Sequence, residues 1–209
     1  MKEYSTNQVR NVVLVGHGGS GKTSLVEAML HTSGATTRLG RVEDSSTVAD
    51  YEDEERNRKM SISTALVACE YEDHKINLLD TPGFTDFVGE VKSGLQVADA
   101  AIVVIDAVAG VEVGTELVWD YCDEYNLPRF VVINKLDRDN ANFQKALTSV
   151  QQLASNKKLI PVTLPWGEKS ELKGVIGLLS QRAWPGAGSN TENIPAEYED
   201  AVAAARIDL

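Results

Sequence analysis

Eight residues, Gly16-His17-Gly18-Gly19-Ser20-Gly21-Lys22-Thr23, limit what this chain can fold into more than any other stretch. They follow the apolar run Val12-Val13-Leu14-Val15 directly and open onto Leu25, Val26, Met29 and Leu30, spaced as one face of a helix. The pattern G-x-x-x-x-G-K-[ST] between a strand and a helix is that of a phosphate-binding loop. Glycines let the backbone curl tightly and turn its N–H groups inward, and the helix N-terminus adds partial positive charge where phosphates sit. Lys22 can reach β- and γ-phosphates, and the Thr23 hydroxyl can sit on Mg²⁺. Gly18, Gly19, Ser20, Gly21 and Ser24 complete the expected phosphate contacts. The plainer alternative is a Gly-rich turn that caps a helix.

Two strand patterns follow, Ile62 to Glu70 and His74 to Leu79, the second ending in Asp80-Thr81-Pro82-Gly83. An Asp at the carboxyl end of a strand, beside a glycine hinge, suits ligand contact in an α/β sheet. Asp80 can hold a Mg²⁺ water, because Mg²⁺ keeps several waters and takes few protein ligands, and the Gly83 N–H can bind a γ-phosphate. Ala100 to Ile105 is apolar throughout, as in a strand buried on both faces. A helix pattern through Val113, Leu117 and Tyr121 separates it from the strand Phe130 to Ile133, and Phe143, Leu147, Val150 and Ala154 mark another helix. Strands alternating with helices predict a doubly wound, mostly parallel α/β sheet in three layers, with its ligand at the strands' carboxyl ends.

The strand Phe130 to Ile133 ends in Asn134-Lys135-Leu136-Asp137. A carboxylate only accepts hydrogen bonds, so Asp137 fits a base edge with two donors. Guanine offers N1–H and the 2-amino group, and adenine offers neither. The Lys135 stem can lie along the base face, and Asn134 can brace the loop. In isolation the segment would read as an ordinary polar turn.

The net charge of -11 argues against a surface that grips nucleic acid by bulk electrostatics. No sequence-specific nucleic-acid contact is expected, although a small patch can still meet a ribonucleoprotein. The chain has no run of 18 uncharged apolar residues and no signal peptide, and its two cysteines, Cys69 and Cys122, lack metal-ligand spacing and read as buried. A cytoplasmic monomer without a membrane partner is expected.

Residues 34 to 60 run polar and charged, a length that in a compact domain is usually functional or mobile. The charge run from Asp50 to Lys59 reads equally as a solvated short helix. Beyond residue 155, Leu159 to Leu164 is strand-like, either a sixth core strand or part of an insert. Gly174 to Leu179 is a short apolar run, Trp184 to Asn190 reads as a flexible loop, and Ile194-Pro195 starts a helix that reaches the end without a stop signal. The chain reads as a fragment. The boundaries are 1–155 for a nucleotide-binding domain and 156–209 for the start of an inserted subdomain.

The set Gly16–Thr23, Asp80–Gly83 and Asn134–Asp137 resembles the first, third and fourth motifs of a P-loop GTPase. His17, the stretch Glu55 to Ile62 (similar to E-R-x-R-G-I-T-I) and Thr85-Asp86-Phe87 resemble the translational branch, specifically the elongation factor G family. Leu164 to Gly167 with Lys173 to Ile176 resembles the subdomain that this family inserts in its GTPase domain. The resemblance implies GTP and GDP as ligands, Mg²⁺ as cofactor and the ribosome as partner. It also implies a first switch at about 34–62 and a second at about 80–96. It makes Lys22, Ser61 and Gly83 catalytic, and Thr23, Ser61 and (through water) Asp80 the metal's holders. The base-supporting fifth motif would lie beyond Leu209. Four positions depart from the family: Phe84 stands where its histidine meets the attacking water, Ser61 replaces Thr, Gly19 replaces an Asp, and Lys59 replaces Gly. These departures are similar to those of diverged elongation-factor-G-like paralogues. They leave open whether the domain hydrolyses GTP or acts by occupancy as a binding module. A P-loop kinase is the more distant alternative.

Overall fold

A computed structural model describes residues 2–155, 157–186, 190–207 and 209. Contacts divide the chain into two compact units, residues 1–106 with 111–134, and residues 107–110 with 135–209.

The first unit is built on five strands: β1 (Val9–Val15), β2 (Ala65–Tyr71), β3 (His74–Asp80), β4 (Ala100–Asp106) and β5 (Arg129–Asn134). They hydrogen-bond in the order β2-β3-β1-β4-β5, parallel except for β2, which runs antiparallel to β3. Helices α1 (Lys22–Thr32), α3 (Val88–Val97) and α4 (Val113–Glu124) connect the strands, and a short α2 (Asp53–Arg58) interrupts the long segment after α1. Strand periodicity assigns the faces. Leu14 and Leu78 join Val26 and Leu30 of α1 in one core cluster. Val13 points the other way, 3.2 Å from where a Cβ on Gly94 of α3 would stand, and α3 packs on α4. The expected α/β/α sandwich is therefore present. Val13, Leu14 and Val15 are all fully buried, which is why β1 reads as a continuous apolar run. Cys69 and Cys122 are buried, as expected.

The strand expected from Ile62 begins only at Ala65. The amides that would extend the ladder are held by side chains instead. Ile62 and Ser63 donate to Glu55 Oε1 at 2.9 and 3.1 Å, and Thr64 donates to Glu90 Oε2 at 2.9 Å. Alternation of side chains cannot report a backbone group captured by a distant carboxylate.

The second unit carries α5 (Phe143–Leu153), a sheet of β6 (Thr163–Trp166), β7 (Gly174–Gly177) and β8 (Arg182–Pro185), and α6 (Glu199–Arg206). Asn142 caps α5, its side chain accepting from the Lys145 N–H at 2.8 Å. The sheet is antiparallel in the order β6-β7-β8. Trp166, Ile176, Leu178 and Ala183 form its core with Val202 of α6. The strand read at 159–164 thus lies at 163–166 and joins this small sheet. Of the loop read over 184–190, Trp184 and Pro185 instead finish β8, an edge strand that tolerates proline. Residues 187–189 lie outside the described residues. The helix read from Ile194 begins as a 3₁₀ turn at Ala196–Tyr198 before α6. No helix among the described residues is long and apolar enough to cross a membrane.

Candidate functional site

The phosphate loop joins β1 to α1 and ends in Gly21, whose left-handed backbone caps the helix. Lys22 is nearly buried and folds back on the loop, its ammonium donating to the carbonyls of Gly16 and His17 at 3.1 and 3.0 Å. The amide of Asn134 donates to the Ser20 carbonyl at 3.0 Å, tying the end of β5 to the loop. On the other side, the Gly114 N–H of α4 donates to His17 Nδ1 at 3.3 Å, and Glu112 lies 3.5 Å from His17 Nε2.

β3 delivers Asp80-Thr81-Pro82-Gly83 to the same loop. Thr81 Oγ1 donates to the Leu14 carbonyl at 2.6 Å, locking the end of β3 to β1. Gly83 lies so close that a Cβ there would stand 2.4 Å from Lys22 Nζ and 2.7 Å from Gly18 Cα, so any side chain would push the segment off the loop. The ring of Phe84 covers Gly18, with three ring carbons 3.2–3.3 Å from the point a Gly18 Cβ would occupy, although the side chain remains half exposed. Gly19 and Ser24 are exposed, Gly18 and Gly21 are half-buried, and Ser20 is buried, its hydroxyl lacking a partner among the described residues.

Ser61, at the end of the long segment, reaches α1. Its Oγ lies 3.1 Å from Thr23 Oγ1 and donates to Asp50 Oδ1 at 2.7 Å. Asp80 is buried beside them, near the Thr23 hydroxyl, and among the described residues neither of its carboxylate oxygens meets a partner at full hydrogen-bonding distance and angle. Burial chiefly pushes its carboxyl up to about 7, the Thr23 hydroxyl and Lys22 ammonium pull it down, and the Asp50 and Glu27 carboxylates push it up again. The Asp50 carboxyl is also raised, first by burial, with the Ser61 hydrogen bond opposing. Hard oxygen donors, an unpartnered carboxylate and excess negative charge fit a small divalent cation. Neighbouring ligands on an octahedral Mg²⁺ stand about 3 Å apart, close to the spacing of the two hydroxyls.

Lys22, Thr23, Ser61, Asp80, Gly83 and Phe84 are thus gathered within the first unit, with Asn134 bonded to the loop. Lys135 and Asp137 belong to the second unit. There Lys135 takes a left-handed backbone, φ 61°, the Leu136 carbonyl accepts from the Lys169 N–H at 3.1 Å, and Asp137 is exposed in a cleft with Val108, Arg138, Asp139 and Asn140. Sequence reasoning missed Glu27, Asp50 and Glu55, all buried. Glu27 carried a legible signal: a charge on the α1 face that also presents Thr23, Val26 and Leu30.

A five-stranded, mostly parallel sheet with this loop at the carboxyl end of β1 defines a P-loop nucleotide-binding domain. The chain belongs to the elongation factor Tu GTP binding domain family, which it matches over residues 7–199. It is 44% identical over 192 residues to an elongation factor G-like protein of Mycobacterium tuberculosis, covering 91% of this chain and 26% of that protein. It is 38% identical over 215 residues to elongation factor G of Granulibacter bethesdensis, covering 100% of this chain and 31% of that protein. A crystal structure of a Thermus thermophilus protein superposes with a TM-score of 0.89 at 36% identity, over 96% of this chain and 30% of that one. The chain therefore spans between a quarter and a third of these relatives.

Proposed function

We propose that this domain binds GTP and GDP with Mg²⁺, hydrolyses GTP, and so drives a conformational switch on the ribosome within an elongation-factor-G-like protein. In this reading residues 1–155 are the nucleotide-binding domain and 156–209 begin the inserted subdomain. The observation that carries it is the convergence of Lys22, the Thr23–Ser61 hydroxyl pair, the unpartnered Asp80 and the close-packed Gly83 on one phosphate loop. Thr23 and Ser61 would hold Mg²⁺ directly and Asp80 through water. The ion, when bound, would offset charge on the transferring phosphoryl group. Lys22 would leave its carbonyls for the phosphates, and the Gly83 N–H would face the γ-phosphate. Asp137, with Lys135 and Asn134, would select guanine. Titration of the protein with GTP and ATP in Mg²⁺ tests this: GTP is expected to bind about 10³-fold or more tighter, and equal affinities overturn the base assignment.

A second reading, a GTP-binding module with little turnover, is favoured by Phe84. Its ring covers Gly18 and can neither donate to nor accept from a water. Phe84→His, assayed for GTP hydrolysis with and without ribosomes, separates the two. A gain of about 10²-fold or more, the scale of general acid–base assistance, supports the binding module. An unchanged rate shows that the water is oriented by another group.

A further inference from the structure

Thr23 and Glu27 stand four residues apart on the buried face of α1, so they lie one above the other. Glu27 is fully buried. Its Oε1 accepts two backbone hydrogen bonds from the first switch, from Val48 N–H at 2.6 Å and Ala49 N–H at 3.1 Å. Its Oε2 has no hydrogen-bond partner among the described residues and faces Gly40, where a Cβ would stand 2.2 Å from that oxygen and 2.9 Å from Thr47 Cα. The switch is therefore wrapped closely around this carboxylate. The next residue is Asp50, whose Oδ2 accepts from Thr47 Oγ1 at 3.3 Å and whose Oδ1 accepts from Ser61 Oγ at 2.7 Å. Ser61 closes the circuit on Thr23 at 3.1 Å.

A buried carboxylate with one empty oxygen is a poor core residue, since an apolar side chain of equal volume fills such a place without the desolvation penalty. What Glu27 supplies that an apolar residue cannot is one acceptor that fixes two successive amides just ahead of Asp50. We propose that Glu27 is a positioning residue for Ser61. It grips residues 48–49, which sets Asp50, which in turn aims the Ser61 hydroxyl at Thr23. One face of α1 thus anchors the switch and carries the hydroxyl that the switch must meet. The nucleotide consequence rests on the function proposed above, whereas the grip itself does not.

The test uses the complete chain with Glu27→Leu, Glu27→Gln and Gly40→Ala. Glu27→Leu keeps the volume and removes the acceptor, Glu27→Gln keeps an acceptor oxygen, and Gly40→Ala drives a methyl into the contact from the other side. Without nucleotide, tryptic cleavage after Arg41, Arg56, Arg58 and Lys59 is expected to rise about tenfold or more in Gly40→Ala and in Glu27→Leu, which takes the acceptor from both the Val48 and Ala49 amides. Glu27→Gln restores most of the protection. With Mg²⁺, affinity for a non-hydrolysable GTP analogue falls about tenfold while GDP affinity stays within about twofold, because Ser61 serves the GTP state. The thermal midpoint of Glu27→Leu changes little, because removing the buried carboxylate and its desolvation cost offsets the two amides left without an acceptor. Unchanged cleavage overturns the grip. Parallel loss of both nucleotides with a lowered midpoint makes Glu27 merely structural and also overturns the proposal. A wild-type protein that binds neither guanine nucleotide defeats the functional reading, and the proteolysis still decides the role of Glu27.

Discussion

Asp80 is the residue that the folded chain accommodates least comfortably on its own. A carboxyl raised to about 7 holds its proton more tightly in the folded state than in the unfolded one, where it titrates near 3.8. Such a group takes stability away as pH rises from about 4 to about 7, and the loss is complete above that window. Without Mg²⁺ or nucleotide, the wild-type thermal midpoint is therefore expected to fall between pH 5 and 7.5. The cost is a few kcal/mol, the size of a poorly compensated buried charge. Asp80→Asn should flatten that profile and raise the midpoint at pH 7.5, yet weaken Mg²⁺-dependent nucleotide binding. A variant with the same pH slope as wild type would show that the destabilisation comes from elsewhere. Lys59 is the milder case. It takes a left-handed backbone at the end of α2, φ 53° and ψ 43°, where the elongation factor G pattern has the glycine that such a cap favours. The strain of about 1 kcal/mol is carried within the segment proposed as the first switch.

Among the elements, β1 and β4 were legible from their continuous apolar, largely buried runs and α5 from its one-sided apolar face, and β5, α1 and α4 also lie where the apolar pattern puts them. The phosphate loop and the Asp at the end of β3 were legible too, because their chemistry demands fixed residue types at fixed spacings. The long segment after α1 was not. Its structure is set by Glu27, Asp50, Glu55 and Glu90, which accept backbone and hydroxyl hydrogen bonds from residues 7 to 26 positions away, and no local pattern announces such pairings. Glu55 illustrates the gap. It sits in a run that reads as solvated, yet it is buried, with one oxygen accepting from Ile62 and Ser63 and the other from Glu52. Glu55→Ala leaves three amides without a partner and should destabilise the protein by about 2–4 kcal/mol. Hydrogen exchange at Ile62 and Ser63 should accelerate while β1 and β4 remain protected. Protection at these two amides equal to wild type would mean that the ladder to β3 had simply extended over them.

At the scale of the molecule, the segment proposed to recognise the base is divided in the chain's own organisation. Asn134 closes the first unit, and Lys135 and Asp137 open the longer part of the second. Ligand-linked stability reads both halves at once, because anything that binds the folded state alone stabilises it by mass action. GTP or GDP with Mg²⁺ at about 100 times Kd contributes about 2.7 kcal/mol. In a chain of 209 residues that raises the thermal midpoint by roughly 5–10 °C. ATP should leave it unchanged, since a base edge without the two donors leaves Asp137 unpaired. Asp137→Asn should transfer the shift from GTP to xanthosine triphosphate, whose base presents an acceptor where guanine has its amino group. The phosphate loop is untouched in that variant, so the reversal reads base selection alone. A variant that loses the GTP shift without gaining one from the xanthine nucleotide would break the assignment of Asp137, while leaving the Lys22, Thr23 and Asp80 end of the proposal standing.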